Sequence, residues 1–483
     1  MKDTQEAGDI AVQRAWLLAL AFGIFRFWYA GRIQLSPDEA YYWEWSRSLD
    51  LSYYDQGPML ALAIRLGTLL FGVTELGVRC VSVASGVAVS WLAIGFCKRE
   101  LKRPVAALWL VLALNTMLLF GVGAVLMMHD SLMTLFWMLA LVCAFRALQK
   151  PFWWMATGIC VGLAMLSKYT GVLFFGGLGL ALLTHPGLRR QARSPWLWAG
   201  LTAGLALGAL PVWIWNQQHG WPSFQHIFSL AGGDSSRRSL LSLPEFLSSQ
   251  FALVTPLLFW LVARAWWKFR GQWTETRWLL WCLGAGPFLL FCVLSLRTRV
   301  EGNWPAEAYL AGLLLVAADL DLRSKIARGS LVLAMALSAL VYVQAARPFL
   351  PLSQGQAKLD SASRVDGWRE LGARVEARRA ALGPQAFVAC RTYQIAAELA
   401  FYSPGHLRPL ILQKGPINHQ YRFWNDPEAM QGQDAVLVTG QEWEIDEMSG
   451  HFSDVKELER VETRRNQVRT QDFRLLSARA FKP

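Results

Sequence analysis

The chain has 483 residues, of which 54% are apolar and 24 are Trp, and a mean hydropathy of +0.27, which excludes an ordinary soluble globular domain. Its formal charge of +12 does not indicate a nucleic-acid partner. From Gln344 onward acids and bases nearly balance, and the surplus lies in short loops between apolar runs, as the positive-inside rule requires of cytoplasmic loops. Six of the seven cysteines (Cys80, Cys97, Cys143, Cys160, Cys282 and Cys292) lie inside apolar runs and only Cys390 lies elsewhere, so no disulfide framework is implied.

The first dozen residues are polar and of mixed charge, unlike a signal-peptide n-region, so the first apolar run is expected to be an uncleaved span. A span takes roughly 20 mostly apolar residues. Eleven are predicted, at about 13–33, 78–97, 104–123, 130–148, 152–167, 170–184, 196–215, 248–267, 278–296, 305–320 and 330–346. The fifth and sixth read as one run broken at Ser167-Lys168-Tyr169-Thr170-Gly171. Residues 58–72 are short for a span and are predicted to form a helix lying at the membrane interface. Basic loops at Lys98–Arg103, at Arg146 and Lys150, at Arg189, Arg190 and Arg193, at Arg264, Lys268 and Arg270, and at Arg323, Lys325 and Arg328 fall on one side. That side, with the N-terminus, is expected to be cytoplasmic. The loop after the first span, the 216–247 loop and the tail are then expected outside.

The first outer loop, SPDEAYYWEWSRSLDLSYYDQGPM from Ser36 to Met59, combines the adjacent acids Asp38 and Glu39 with Tyr41, Tyr42, Trp43, Trp45, Tyr53 and Tyr54. Aromatic rings with polar tips suit the membrane–water boundary, and acids held there are candidates for chemistry. Ser36-Pro37-Asp38-Glu39 is also a helix start, with Ser as cap, Pro at the first position and Glu three residues on. The two readings are compatible, because a cap fixes the geometry of Asp38. Asp55, before Gln56-Gly57-Pro58, reads either as a turn acid or as a member of the site.

Further along, His129-Asp130 opens the fourth span on the outer side, where Asp130 can cap the helix or join a site. Lys168, Arg297 and Arg299 are predicted at outer ends of spans, against the charge trend. Such cations either snorkel to the headgroups or neutralise a lipid phosphate. Arg237 and Arg238 in the 216–247 loop offer the same charge. Glu301, Asn303 and Trp304, in RVEGNWP, add a carboxylate, an amide and an aromatic face. No GxGxxG, Walker, HExxH or paired CxxC pattern occurs, so no nucleotide fold or structural metal site is indicated.

After residue 346 the apolar runs shorten to strand length. A helix fits 363–381, a strand 385–390, a helix 393–402, and strands 408–412 and 434–439. The expectation is a small α/β unit at 347–483, following a transmembrane domain at 1–346 whose outer loop, 34–77, carries the acids. Tyr393, Glu398, Tyr402, Tyr421 and Trp424 are candidates to line the tail's contact with the membrane part, or are ordinary packing and surface residues.

The first loop together with HDSLMTLFW, LSKYTGVLF and RVEGNWPAEAYL resembles the GT-C superfamily of membrane glycosyltransferases, and within it the bacterial protein mannosyltransferase and lipid A aminoarabinose transferase group. YQIAAELAFYSPG in the tail is similar to that group, more weakly. The resemblance implies a GT-C-type α-helical polytopic protein of the cytoplasmic (inner) membrane, with a small extracytoplasmic α/β domain. It implies an inverting transfer of a sugar from a polyprenyl-phosphate donor to a glycolipid such as lipid A, or to a secreted protein. Carried over by residue, Asp38 is the base or acceptor-positioning carboxylate. Glu39 supports it, or binds a divalent metal ion where one is used. Asp130 belongs to the surrounding polar groups, and Lys168 approaches the donor phosphate with Arg299. Relatives commonly have His-Pro-Pro where this chain has Gln56-Gly57-Pro58, so no role as ligand or proton donor is carried over to position 56. A transporter or flippase of lipid-linked sugars is the competing class. It should place ionisable residues near mid-span and show repeated halves, whereas these residues gather at the outer boundary.

Overall fold

The computed structural model describes residues 2–229, 242–269, 274–350, 360–465 and 468–483. Arg237, Arg238 and Arg270 lie outside the described residues. The chain divides into two compact units, one of Met1–Ala30, Asp50–Ala63 and Arg79–Leu340, the other of Gly31–Leu49, Ile64–Val78 and Val341–Pro483. The tail thus groups with two pieces of the 34–77 loop.

The first unit is helical. By length and composition, six described helices can cross a membrane: Gln5–Ala30, Glu75–Arg99, His129–Ala147, Pro195–His219, Glu275–Ser295 and Lys325–Ala346. Two sharply bent pairs bring the number to eight if each is one span: Tyr169–Thr184 with Pro186–Arg193, at 105°, and Ser242–Val254 with Pro256–Lys268, at 109°. The second bend sits at Thr255, whose φ is 73°, just before Pro256, which cannot continue the preceding hydrogen-bond ladder. The expected eleven are not reached by this measure because three predicted spans form short helices. Residues 104–123 break at Met117, whose ψ of 128° ends a helix of 11 residues, Ala106–Thr116. Residues 152–167 give a helix of 15 residues, and residues 305–320 give one of 14.

The long helices present large apolar side chains outward, among them Leu17, Ile24, Trp28, Trp213 and Leu289, as a lipid-facing surface does. Inside, two helices approach backbone to backbone. A Cβ on Gly158 would collide with the Gly200 carbonyl, and one on Gly204 with the Gly158 carbonyl. This is the small-residue contact that lets membrane helices pack closely. Residues 58–72 do form a helix, Met59–Phe71. It exposes Leu62, Leu66, Leu69 and Leu70 along one face.

The second unit holds a five-stranded sheet. Its strands are β1 (Phe387–Cys390), β2 (Leu410–Ile411), β3 (Ala435–Thr439), β4 (Asp454–Arg465) and β5 (Val468–Arg479), in the order β2-β1-β3-β5-β4. β1 runs parallel to β2 and β3, and β5 runs antiparallel to β3 and β4. Phe387, Leu410, Leu437, Met448, Leu476 and Phe481 form part of its core. The tail elements predicted from sequence are present, with helices at Trp368–Leu382 and Tyr393–Tyr402. The β4–β5 pair was not foreseen.

The helix of the first outer loop, Pro37–Arg47, starts as its sequence requires. Ser36 caps it and the Ser36–Glu39 capping box is complete. It packs on the Tyr393–Tyr402 helix through two ring contacts. Tyr41 meets Tyr393 with ring centroids 4.6 Å apart, and Trp43 stands edge-on to Phe401 at 5.0 Å. Glu44, fully buried, pairs with Arg47 and, at 2.5 Å, with Arg408. Arg408 in turn stacks over Trp424.

Candidate active site

The sequence candidates fall into two clusters, one in each unit. In the second unit, Asp38 sits half-buried on the first turn of the Pro37–Arg47 helix. Tyr393 donates its hydroxyl proton to Asp38 Oδ1 at 3.1 Å. Burial raises the Asp38 pKa above the usual carboxylate value. The Tyr393 hydrogen bond opposes that rise, Glu39 adds to it, and Arg364 opposes it. A carboxylate raised in this way is a stronger base when ionised. Glu39 is fully buried, and its Oε2 accepts from the Ser36 amide at 3.0 Å and from the Ser36 hydroxyl at 3.1 Å. Its carboxylate therefore closes the helix cap. Among the described residues, no group of three or more His, Cys, Asp or Glu is placed to hold a metal ion.

The residues proposed to line the tail's contact gather around this helix. Tyr41 accepts from the Gln420 amide at 2.7 Å and stacks with Tyr421 at 6.1 Å. Tyr402 accepts from the Leu35 amide at 2.7 Å and donates to Glu75 at 3.1 Å. Glu398 is fully buried. The Tyr393 contact has a testable consequence. Tyr393→Phe removes a donor that favours the ionised Asp38, so its pKa should rise further. If Asp38 must be ionised for turnover, the acid limb of the rate–pH profile should move to higher pH, with the rate at high pH kept within about tenfold. An unmoved limb would detach Asp38 from the pH dependence.

In the first unit, Lys168 lies where the sequence breaks the helical run. The helix ends at Ser167, and Lys168 is extended (φ −154°, ψ 132°) before a short 3₁₀ turn. Its ammonium donates to Asp130 Oδ1 at 2.6 Å, and Asn303 Nδ2 donates to Asp130 Oδ2 at 2.8 Å. His129 meets the Ser167 carbonyl through Nδ1 at 3.0 Å. Lys168, Asp130, Asn303 and His129, read from three separate segments, are thus one cluster. Gln56 Oε1 accepts from the Tyr169 amide at 3.1 Å, so Gln56 holds the backbone beside Lys168. Glu307 was missed by the sequence reading. It is fully buried within electrostatic range of Lys168 and Asp130, and its carboxylate oxygens have no hydrogen-bond partner among the described residues.

The other candidates make their described contacts with other residues. Arg297 and Arg299 are exposed. Arg299 faces Glu301 at 3.4 Å with both side chains more than half exposed, a pair worth at most about 1 kcal/mol. Trp304 packs edge-on to Phe291 at 6.1 Å. Asp55 faces His226 at 3.9 Å.

Residues 55–215 match the family model described as dolichyl-phosphate-mannose-protein mannosyltransferase. That match covers about a third of the chain and agrees with the resemblance read from the sequence, and the apolar helices are those of a multi-pass membrane protein.

Two relatives sharpen that. The chain is 30% identical over 289 residues to the lipid A galacturonosyltransferase RgtD of Rhizobium johnstonii, a match covering 58% of this chain and 59% of that protein; the match therefore spans less than two thirds of that relative. It shares its fold with ArnT from Cupriavidus metallidurans, in the apo state (TM-score 0.67, 15% identity, 95% of this chain and 97% of the other). The same holds for ArnT bound to undecaprenyl phosphate (TM-score 0.68, 14% identity, with the same coverage).

Proposed function

We propose that the protein is an inverting glycosyltransferase of the bacterial inner membrane that moves a sugar from a polyprenyl-phosphate donor to lipid A or a similar glycolipid on the outer side. The observation that carries this reading is the half-buried Asp38, fixed by a complete capping box and by Tyr393. The fold likeness to a protein crystallised with undecaprenyl phosphate and the similarity to a lipid A transferase support the donor and acceptor classes. A lipid-phosphate sugar is already activated, so no nucleotide site is needed.

In the proposed reaction the acceptor oxygen attacks the anomeric carbon and the bond from that carbon to the phosphate oxygen breaks. Polyprenyl phosphate leaves with the electron pair. Where the acceptor is a hydroxyl, its proton passes to Asp38. Where it is a phosphate, Asp38 orients it. The Lys168–Asp130–Asn303 cluster serves the donor. Arg297 and Arg299, being exposed, serve as accessory cations. Glu39 holds Asp38 in place, and a divalent metal ion, where used, would need Glu39 released from its cap. In this reading the N-terminus lies in the cytoplasm and the tail outside, an orientation that the basic loops support.

The test is mass spectrometry of lipid A from cells with and without the gene for this chain. The expected result is a species heavier by one sugar residue only when the chain is expressed. Unchanged lipid A together with newly glycosylated secreted proteins would replace the glycolipid acceptor by a protein.

A further inference from the structure

A second cation is buried in the first unit, and neither the clusters above nor the family likeness uses it. Arg26, near the end of the Lys2–Ala30 helix, is 2% exposed. Its Nη1 donates to Asn115 Oδ1 at 2.6 Å and its Nη2 to the Asn115 carbonyl at 2.9 Å. Asn115 is itself fixed, donating to Ser90 Oγ at 2.9 Å and to the Val111 carbonyl at 2.8 Å. The guanidinium is therefore held rigidly. Both groups that hold it are neutral, and among the described residues it pairs with no carboxylate. Its Nε is buried without a hydrogen-bond partner there. An ionisable side chain inside a membrane helix is costly and marks a binding site or pathway by default.

Arg26 lines a cavity of about 40 Å³ together with Ser82, Ser90, Asn115, Asp130 and Thr134. Gly86 keeps the space in front of it open. A Cβ there would lie 3.7 Å from Arg26 Nη1 and 2.7 Å from the Ala124 Cβ. The charged groups at this cavity are Arg26 and Asp130, and both Asp130 oxygens are already engaged, by Lys168 and by Asn303. Of the two charged groups, Arg26 is the one with donors to spare: Nη1 and Nη2 each use one N–H on Asn115 and keep a second, beside the Thr134 hydroxyl in the same lining.

We propose that this cavity is a subsite for an oxyanion carried by the lipid-linked donor, either its phosphate or a carboxylate on its sugar. The proposal rests on the donor class given above. Lys168, neutralised by Asp130, leaves a role for a cation that is not yet paired.

The experiment uses the full chain in nanodiscs, with Arg26→Gln and Gly86→Ala beside it. Gly86→Ala keeps the Arg26 side chain and narrows the space before it, although its Cβ, 2.7 Å from the Ala124 Cβ, also forces a local shift. Binding of undecaprenyl phosphate and of undecaprenol is read by native mass spectrometry, and protection against heat by galacturonate and galactose is read by melting curves. A phosphate subsite predicts that the wild type prefers undecaprenyl phosphate over undecaprenol by about tenfold or more and that both variants lose the preference. A carboxylate subsite predicts that galacturonate, not galactose, raises Tm in the wild type alone. A merely structural Arg26 predicts a lower Tm in Arg26→Gln with both ligand responses intact, which overturns the proposal. Should Arg26→Gln not fold, Gly86→Ala decides by the same readings. If the wild type itself responds to no probe, the donor class falls too; if it binds undecaprenyl phosphate regardless of Arg26 and ignores galacturonate, only the subsite falls.

Discussion

Asp38→Asn is expected to lower sugar transfer by about 10²–10⁴-fold while leaving the protein folded and inserted. The substitution keeps the shape of the side chain, and Tyr393 can still donate to the amide oxygen in place of Oδ1. Ser36 and Glu39 close the helix cap without Asp38, so the Pro37–Arg47 helix should persist. The variant also removes a carboxylate whose ionised form burial disfavours. That penalty acts in a definite direction. A folded-state pKa above the unfolded one means that the native chain holds its proton longer. This residue's contribution to stability is therefore greatest below its unfolded pKa and is lost as pH rises through the folded value. The Asp38→Asn variant carries no such dependence, and its melting temperature near neutrality should equal or slightly exceed that of the wild type. Turnover assays and melting curves on the same preparation check both halves. Transfer at close to the wild-type rate would remove Asp38 from the reaction.

Lys168→Ala should have the other large effect, and it should be felt first in stability. Lys168 and Asp130 form a buried ion pair, with side chains 8% and 19% exposed. Removing Lys168 leaves the Asp130 charge partly buried, with Asn303 its remaining hydrogen-bond partner among the described residues, a loss of up to about 3–5 kcal/mol. Replacing both partners by apolar residues, as in Lys168→Met with Asp130→Leu, should recover much of that loss, because the uncompensated charge goes with the pair. Function separates from stability in the double variant. If the cluster serves the donor, donor KM should rise more than acceptor KM. Equal loss on both substrates, or none, would remove the cluster from donor handling. Melting curves of the two single variants and the double variant, with initial rates against each substrate, give the measurement.

How far the sequence discloses this arrangement depends on the range of the interactions. Features written within one turn or one loop were legible. Ser36-Pro37-Asp38-Glu39 reads as a capped helix and is one. The break at Lys168 is visible because Ser-Lys-Tyr-Thr-Gly interrupts an apolar run, and the helix does stop at Ser167. Tyr393–Tyr402 is a helix over the residues read as one. Features that depend on a distant partner were not. Nothing in the sequence around Arg26 singles it out, and Asn115, which holds it, lies 89 positions away. Nothing near Glu44 announces its partner, because Arg408, which meets it in the interior, lies 364 positions on. Gln56 lies 113 positions from Tyr169, whose backbone amide its side-chain oxygen takes up. The β4–β5 hairpin escaped for another reason. DVKELERVETRR is charged along nearly its whole length, and only its last few residues alternate between exposed and buried. Hydrophobic periodicity therefore gave no strand signal there. Short helices such as Ala306–Asp319 show the limit of hydropathy, which registers apolar length but not where the backbone leaves the helix.

The most direct test of the central claim is acceptor-dependent release of polyprenyl phosphate by the purified protein. Wild type and Asp38→Asn are placed in nanodiscs with a panel of polyprenyl-phosphate sugars, and lipid A is added. The account predicts that one donor yields free polyprenyl phosphate and glycosylated lipid A in equal amounts with the wild type, and that Asp38→Asn yields neither. Equal release by both proteins, or movement of the intact donor across the bilayer with no release, would contradict it.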